Sequence, residues 1–183
     1  VVPGRIILRG YEFLTVLLGR LSFCTWIGGA PEIWQCVVYY VLLFGGIQIA
    51  LFLKEKGAYR VWRVLSRGIC VAVVCVSIFI LGFRQKNLIS ITCLDIGQGD
   101  GIVIQLPGGK TVMVDGGSSS KKKVASYQIL PYLKNQGISV VDAMLISHTD
   151  LDHISGVQEL LTLKEKHLTT LRIKNLLLPD WKA

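Results

Sequence analysis

Hydrophobic spacing divides the chain into three regimes. In residues 5–21, RIILRGYEFLTVLLGRL, charge recurs at 5, 9, 12 and 20 on one narrow helical stripe, and the remaining arc is almost wholly apolar. That pattern predicts an amphipathic helix lying in a membrane interface or packed against other spans. Gly28-Gly29-Ala30-Pro31 interrupts it, with Pro31 suited to the first turn of a new helix. From Ile33 to Leu53 there follow twenty-one residues without a formal charge. At 1.5 Å per residue they are long enough to cross a hydrocarbon core of about 30 Å, and Trp34 supplies an interfacial anchor near one end. Residues 54–67 carry five Lys/Arg and one Glu, and Ile69–Phe83 is apolar again. This second run is short for a span, but Val61–Leu65 and snorkelling Arg67 and Arg84 extend it.

From Leu88 the period changes. LISITCLDI reads as a strand, Gly97-Gln98-Gly99-Asp100-Gly101 as a turn, IVIQL as a second strand, and Pro107-Gly108-Gly109 as a hairpin signal before KTVMVD, which ends at Asp115. Gly116-Gly117-Ser118-Ser119-Ser120 reads as a flexible loop. Residues 124–135 have an amphipathic helical pattern against which Pro131 stands as an objection. A strand at about 141–147, a helix at about 156–166 and a last strand at about 171–178 complete the order. An antiparallel β start followed by βαβ-like alternation predicts a layered α+β or α/β architecture.

Charge alters this picture by its distribution. Residues 1–86 hold ten Lys/Arg against three Glu, a balance of +7, whereas residues 87–183 hold ten Lys/Arg against nine Asp/Glu, a balance of +1. The basicity of a chain at net +8 therefore belongs to the apolar half, where it sets orientation, and is no sign of a polyanion binder. By the positive-inside rule the 54–67 stretch lies in the cytoplasm and residues 87–183 lie outside it, with Arg84 and Lys86 opposing that orientation. Lys121-Lys122-Lys123 reads as a solvated surface cluster. The five cysteines, at 24, 36, 70, 75 and 93, show no paired spacing and read as buried small hydrophobes. The chain opens on Val and stops soon after Leu176-Leu177-Leu178-Pro179, which reads as a piece of a longer protein.

The candidate chemistry sits in SHTDLDHISG at 147–156, where His148, Asp150, Asp152 and His153 fall within six residues after an apolar strand. Imidazole nitrogen and carboxylate oxygen both suit divalent cations, and closely spaced pairs serve one or two ions. The competing reading is a solvated loop with Asp152 capping the next helix. The remaining histidine, His167, sits beside Lys166 and reads as solvated. Gly97-x-Gly99-x-Gly101 opens no helix and does not fit a dinucleotide fingerprint.

This loop resembles the HxHxDH signature of the metallo-β-lactamase superfamily with Asp150 in place of the second histidine, and VMVDGG at 112–117 resembles that superfamily's first motif. Together with LDIGQGD at 94–100, ILPYLKNQGI at 129–138 and PEIWQCVVYYVLL at 31–43, it resembles the ComEC-like family of competence DNA-uptake channels. The resemblance runs from about residue 5 onward. It implies the end of a multispanning competence domain followed by the start of a metallo-β-lactamase-like domain. The fold class it implies is a membrane α-helical part and then an incomplete α+β (αββα) domain, divided as 1–31 amphipathic helix, 32–86 two transmembrane helices with a basic loop, and 87–183. His148 and Asp150 become ligands of one metal, and Asp152 and His153 of the other. Asp152 also orients the attacking water, and Asp115 becomes a supporting residue.

Two ions of zinc or manganese type are implied, the oxygen-rich set widening the choice to manganese. The implied setting is a multi-pass cell-membrane protein acting on single- or double-stranded DNA as a metal-dependent phosphodiesterase, alongside other competence-machinery proteins. The family's later histidines and bridging Asp do not appear in the thirty residues after His153, so the isolated chain is expected to be inactive. The alternatives are a non-catalytic DNA-binding or structural part of the channel and a membrane-tethered metallohydrolase of small esters. Gln98 and Asp100 carry no assigned role.

Overall fold

The computed structural model describes residues 2–19, 27–55, 59–83 and 88–179. Two compact units emerge, Gly28–Gln85 and the remainder, Val1–Ile27 with Lys86–Ala183. Helix α1, Val2–Gly19, is the amphipathic segment expected, and its described side chains are exposed. Arg20, Cys24, Arg84, Lys86 and the expected boundary at 86–87 lie outside the described residues.

The unit 28–85 holds two long helices packed on each other, α2 at Ile33–Glu55 and α3 at Tyr59–Gly82. Ile33–Phe52 and Val64–Gly82 are long and apolar enough to cross a membrane. Large apolar side chains such as Val41, Phe44 and Phe79 stand exposed along them. Much of the basic stretch 54–67, expected as a loop, is instead wound into helix: Lys54 lies in the last turn of α2 and Arg67 lies well inside α3. Lys and Arg are good helix formers, so an established helix extends through them at little cost. Gln35 is buried and fastens the two helices. Its Nε2 donates to the carbonyls of Ile80 (2.6 Å), which also accepts from the Phe83 N–H, and Phe83 (2.9 Å), just past the end of α3, while its Oε1 accepts from the Glu32 N–H at 2.8 Å.

The cysteine expectation is corrected. Cys70 and Cys75 are exposed on α3, Cys93 is exposed on an edge strand, and Cys36 is half-buried. A long helix packed on one neighbour leaves most of its apolar side chains facing outward, and an edge strand lacks a neighbour on one side.

Residues 88–179 form one mixed five-stranded sheet in the order β1-β2-β3-β4-β5, comprising Ser90–Cys93, Gly101–Leu106, Lys110–Asp115, Val140–Leu145 and Arg172–Leu177. The first two pairings are antiparallel and the last two parallel, with Met113 opposite Met144 in the β3–β4 register. Along β3 burial alternates through Thr111, Met113 and Asp115, as period-2 side chains require. Met113, Val103 and Met144 pack with Ile129, Leu133, Val157 and Leu160 from the helices into one core. The architecture is the α+β arrangement expected.

The 124–135 segment is helical despite Pro131. Its first part, Ala125–Ile129, is wound as a π turn in which the Leu130 N–H reaches the Ala125 carbonyl, and α4, Leu130–Asn135, continues from it. Proline has no N–H to give the carbonyl four residues back, and the wider turn re-routes the hydrogen bonds ahead of it. Helix α5 spans Leu151–Glu165, five residues earlier than the pattern indicated, with Asp150 extended (ψ 151°) at its N-cap position. Asp152 and His153 therefore sit in a helical first turn, and the loop proper shrinks to 147–150.

Candidate metal centre

The site forms where the connections after β1, β3 and β4 meet the N-terminus of α5. Asp115 closes β3 in a left-handed conformation (φ 55°), a geometry that Asp tolerates better than most residues. This turns the chain sharply into Gly116-Gly117-Ser118, which is buried where a flexible loop was expected. The Gly116 N–H donates to the His153 carbonyl at 3.0 Å, and the Ser118 N–H donates to Ser155 Oγ at 2.9 Å. Gly117 lies so close to the first turn of α5 that a Cβ there would come within 2.5 Å of the His153 carbonyl carbon and 2.6 Å of its nitrogen. Only glycine permits that approach.

Asp115 is almost fully buried and accepts three hydrogen bonds: Ser147 N–H at 2.8 Å, Ser147 Oγ–H at 2.6 Å, and His153 Nδ1 at 3.0 Å. Burial pushes its carboxyl up, but the two Ser147 bonds and then the His153 contact outweigh it and hold the group below the usual carboxylate range. The Ser147 hydroxyl gives its single proton to Asp115, so at 2.9 Å from His148 Nδ1 it accepts, which places the proton of that imidazole on Nδ1. His153 likewise directs Nδ1 to Asp115. Both rings thus present Nε2 to the site, tilted 45° to each other with centroids 3.6 Å apart.

What those nitrogens face is acidic. His153 Nε2 lies 3.7 Å from Asp152 Oδ2 and 3.7 Å from Asp100 Oδ2, and His148 Nε2 lies 3.5 Å from Asp150 Oδ2. Donor atoms of His148, Asp152 and His153 converge within 4.8 Å of one another. Asp150 stands at the exposed margin, its carboxylate beside His148. Burial works against charge on His153, yet Asp115 first, then Asp152 and Asp100, raise its pKa above the ordinary histidine value. Two imidazole lone pairs directed at carboxylates form a donor set with a deficit of positive charge, and it fits a divalent cation.

His167 is exposed beyond the end of α5 (φ 55°), away from this cluster. Lys121 of the basic cluster pairs with Asp95, its Nζ donating at 2.9 Å to the carboxylate and at 3.0 Å to the Asp95 carbonyl. Sequence reasoning assigned nothing to Ser147 or Asp100. A hydroxyl next to the first histidine and a carboxylate closing a Gly-x-Gly turn were the only signals, and neither has a spacing that marks it.

Residues 94–169 match the family model of the metallo-beta-lactamase superfamily. The chain is 33% identical over 100 residues to recombination protein 2 of Haemophilus influenzae, covering 54% of this chain and 12% of that protein. It is 29% identical over 133 residues to ComE operon protein 3 of Bacillus subtilis, covering 64% of this chain and 16% of that protein. The chain thus spans less than a fifth of either curated relative. No solved structure matches it.

Proposed function

The chain fits a ComEC-like competence protein, and on that premise we propose that residues 87–183 contribute to a metal-dependent phosphodiesterase acting on DNA during its uptake through a membrane channel. The observation that carries the metal part is the convergence of His148, Asp152 and His153 within 4.8 Å, with His153 held through its far nitrogen by Asp115. Orientation of a ligating imidazole by a carboxylate is a recurrent requirement of such sites. DNA as substrate is supported by the likeness to two competence proteins.

In this reading His148 with Asp150, and Asp152 with His153, hold two divalent ions of zinc or manganese type. Bound divalent ions supply Lewis-acid polarisation of a phosphoryl group and a nucleophile at neutral pH. The chain's own residues do the positioning. Asp115 and Ser147 keep both Nε2 atoms directed into the site, and Asp152, half-exposed in the first turn of α5, orients the attacking water. Helices α2 and α3 carry the domain on a cell membrane, with residues 87–183 on its outer side.

The test is cleavage of end-labelled single- and double-stranded DNA by the full-length domain with added Mn(II) or Zn(II), comparing wild type with Asp150→Ala and Asp152→Ala. Metal-stimulated cleavage that both substitutions abolish is the expected result. Equal cleavage by all three proteins, or none that responds to metal, defeats the nuclease assignment.

A further inference from the structure

We propose that Asp100, at the end of the β1–β2 connection, is a metal ligand, completing with Asp152 and His153 a three-residue set for one divalent ion. The inference rests on the metal-centre reading above and extends it to a carboxylate about fifty residues from the His/Asp loop.

The first argument is distance. A zinc-like ion bonded at about 2.0–2.2 Å to each donor holds neighbouring donors roughly 3–3.5 Å apart. Asp100 Oδ2 and Asp152 Oδ2 each lie 3.7 Å from His153 Nε2, close to that spacing. Asp150, by contrast, pairs with His148. Asp100 and Asp152 thus both reach His153 Nε2, in a cluster that His148 also joins. A catalytic site of this type takes three protein ligands and an open position, and Asp100 brings the Asp152/His153 pair to that number.

The second argument is how the backbone holds Asp100. Its N–H donates to the Asp152 carbonyl at 3.2 Å, and its own carbonyl accepts from Gly117 N–H at 3.3 Å. Gly99, before it, is wedged between the Gly117 and Asp152 carbonyls at φ 154°, where no Cβ fits. Two segments of chain, at Gly117 and at Asp152, therefore pin the Asp100 backbone beside the turn that carries His153. The side chain remains 66% exposed, with an oxygen facing the His153 lone pair. Asp95, in the same connection, is instead engaged by Lys121, which makes it an internal control.

The experiment uses the full chain in detergent, titrated with Mn(II) alone, with Asp100→Asn and Asp95→Asn beside wild type. Asp100→Asn is expected to weaken one Mn(II) site by about 10- to 100-fold, while Asp95→Asn binds as wild type does. A second variant, Asp100→Cys loaded with Co(II), reads the bond itself. A thiolate-to-cobalt charge-transfer band absent from the Co(II)-loaded wild type is expected only if position 100 touches the ion. Wild-type Mn(II) affinity in Asp100→Asn, or no such band in Asp100→Cys, overturns the inference and leaves the metal centre standing. Failure of the wild-type chain to bind Mn(II) or Co(II) defeats the metal centre and this inference with it.

Discussion

Asp115 and His153, thirty-eight positions apart, meet at 3.0 Å between Oδ2 and Nδ1 in a setting where both side chains are almost fully enclosed. The contact joins the end of β3 to the first turn of α5 and decides which nitrogen His153 turns toward the acidic cluster. Asp115→Ala removes the acceptor of three donors, Nδ1 of the buried His153 and the N–H and hydroxyl of the exposed Ser147. Removing the partner of a buried polar group costs about 1–3 kcal/mol, and water replaces part of what Ser147 loses, so a loss on the order of 2 kcal/mol is expected in chemical denaturation of the metal-free protein. Metal affinity should fall as well, by about 10- to 100-fold. A variant that matches wild type in both measurements contradicts the supporting role.

The same pair sets a pH dependence in the metal-free protein. Asp115 has a lowered pKa, so its contribution is present above the unfolded-state value of about 3.9 and is lost as pH falls through the lower folded value. His153 has a raised pKa, so its contribution is full below about 6.5 and is lost as pH rises through the higher folded value. The stability difference between wild type and Asp115→Asn should therefore be widest at mildly acidic pH and narrow on both sides. Denaturant midpoints across the pH range measure it. Metal affinity should show the opposite trend and rise with pH, because the cation competes with a proton for His153 Nε2.

Gly117→Ala tests whether the loop after β3 positions the site. The added methyl would collide with the backbone of His153 and Ile154, and these are helix atoms with little room to yield. Overpacking of this kind costs about 1–3 kcal/mol. The expected result is a lower unfolding temperature together with weakened Mn(II) binding. Unchanged binding would mean that the first turn of α5 holds its place without Gly117.

In the helical pair, Gln35→Ala removes the amide that donates to the Ile80 and Phe83 carbonyls, the first of which keeps the Phe83 N–H. A loss of roughly 2 kcal/mol is expected, read as a lower unfolding temperature in detergent. Gln35→Glu should fail to restore it, because a carboxylate cannot donate to a carbonyl. Full stability in Gln35→Ala would show the contact to be dispensable.

Orientation in the membrane is tested independently of the site. A reporter fused after Asn87 should be accessible from outside the cytoplasm, and cytoplasmic labelling would reverse the assignment drawn from the 54–67 charges.

Several features of this protein were determined by local sequence. Uncharged runs long enough for a membrane, the change of period after Leu88, the Pro-Gly-Gly hairpin and the spacing of His148, Asp150, Asp152 and His153 all depend on near neighbours, which covalent geometry places together. Other features depended on chain segments meeting at a distance, and only the tertiary structure decided them. Helix α5 begins at Leu151 because the turn at Asp150 directs it there, so Asp152 and His153 became helical residues. The Gly116–Ser118 stretch is buried because α5 packs over it. Ser147 acquired its role by lying between Asp115 and His148, and Asp100 by being tied at 3.2 Å to the Asp152 carbonyl. None of these follows from periodicity, because hydrogen bonds between segments are selected by the packing of the sheet and its helices. The donors of residues 148–153 were legible in sequence; their tautomers and their partner across the β1–β2 connection came from the fold.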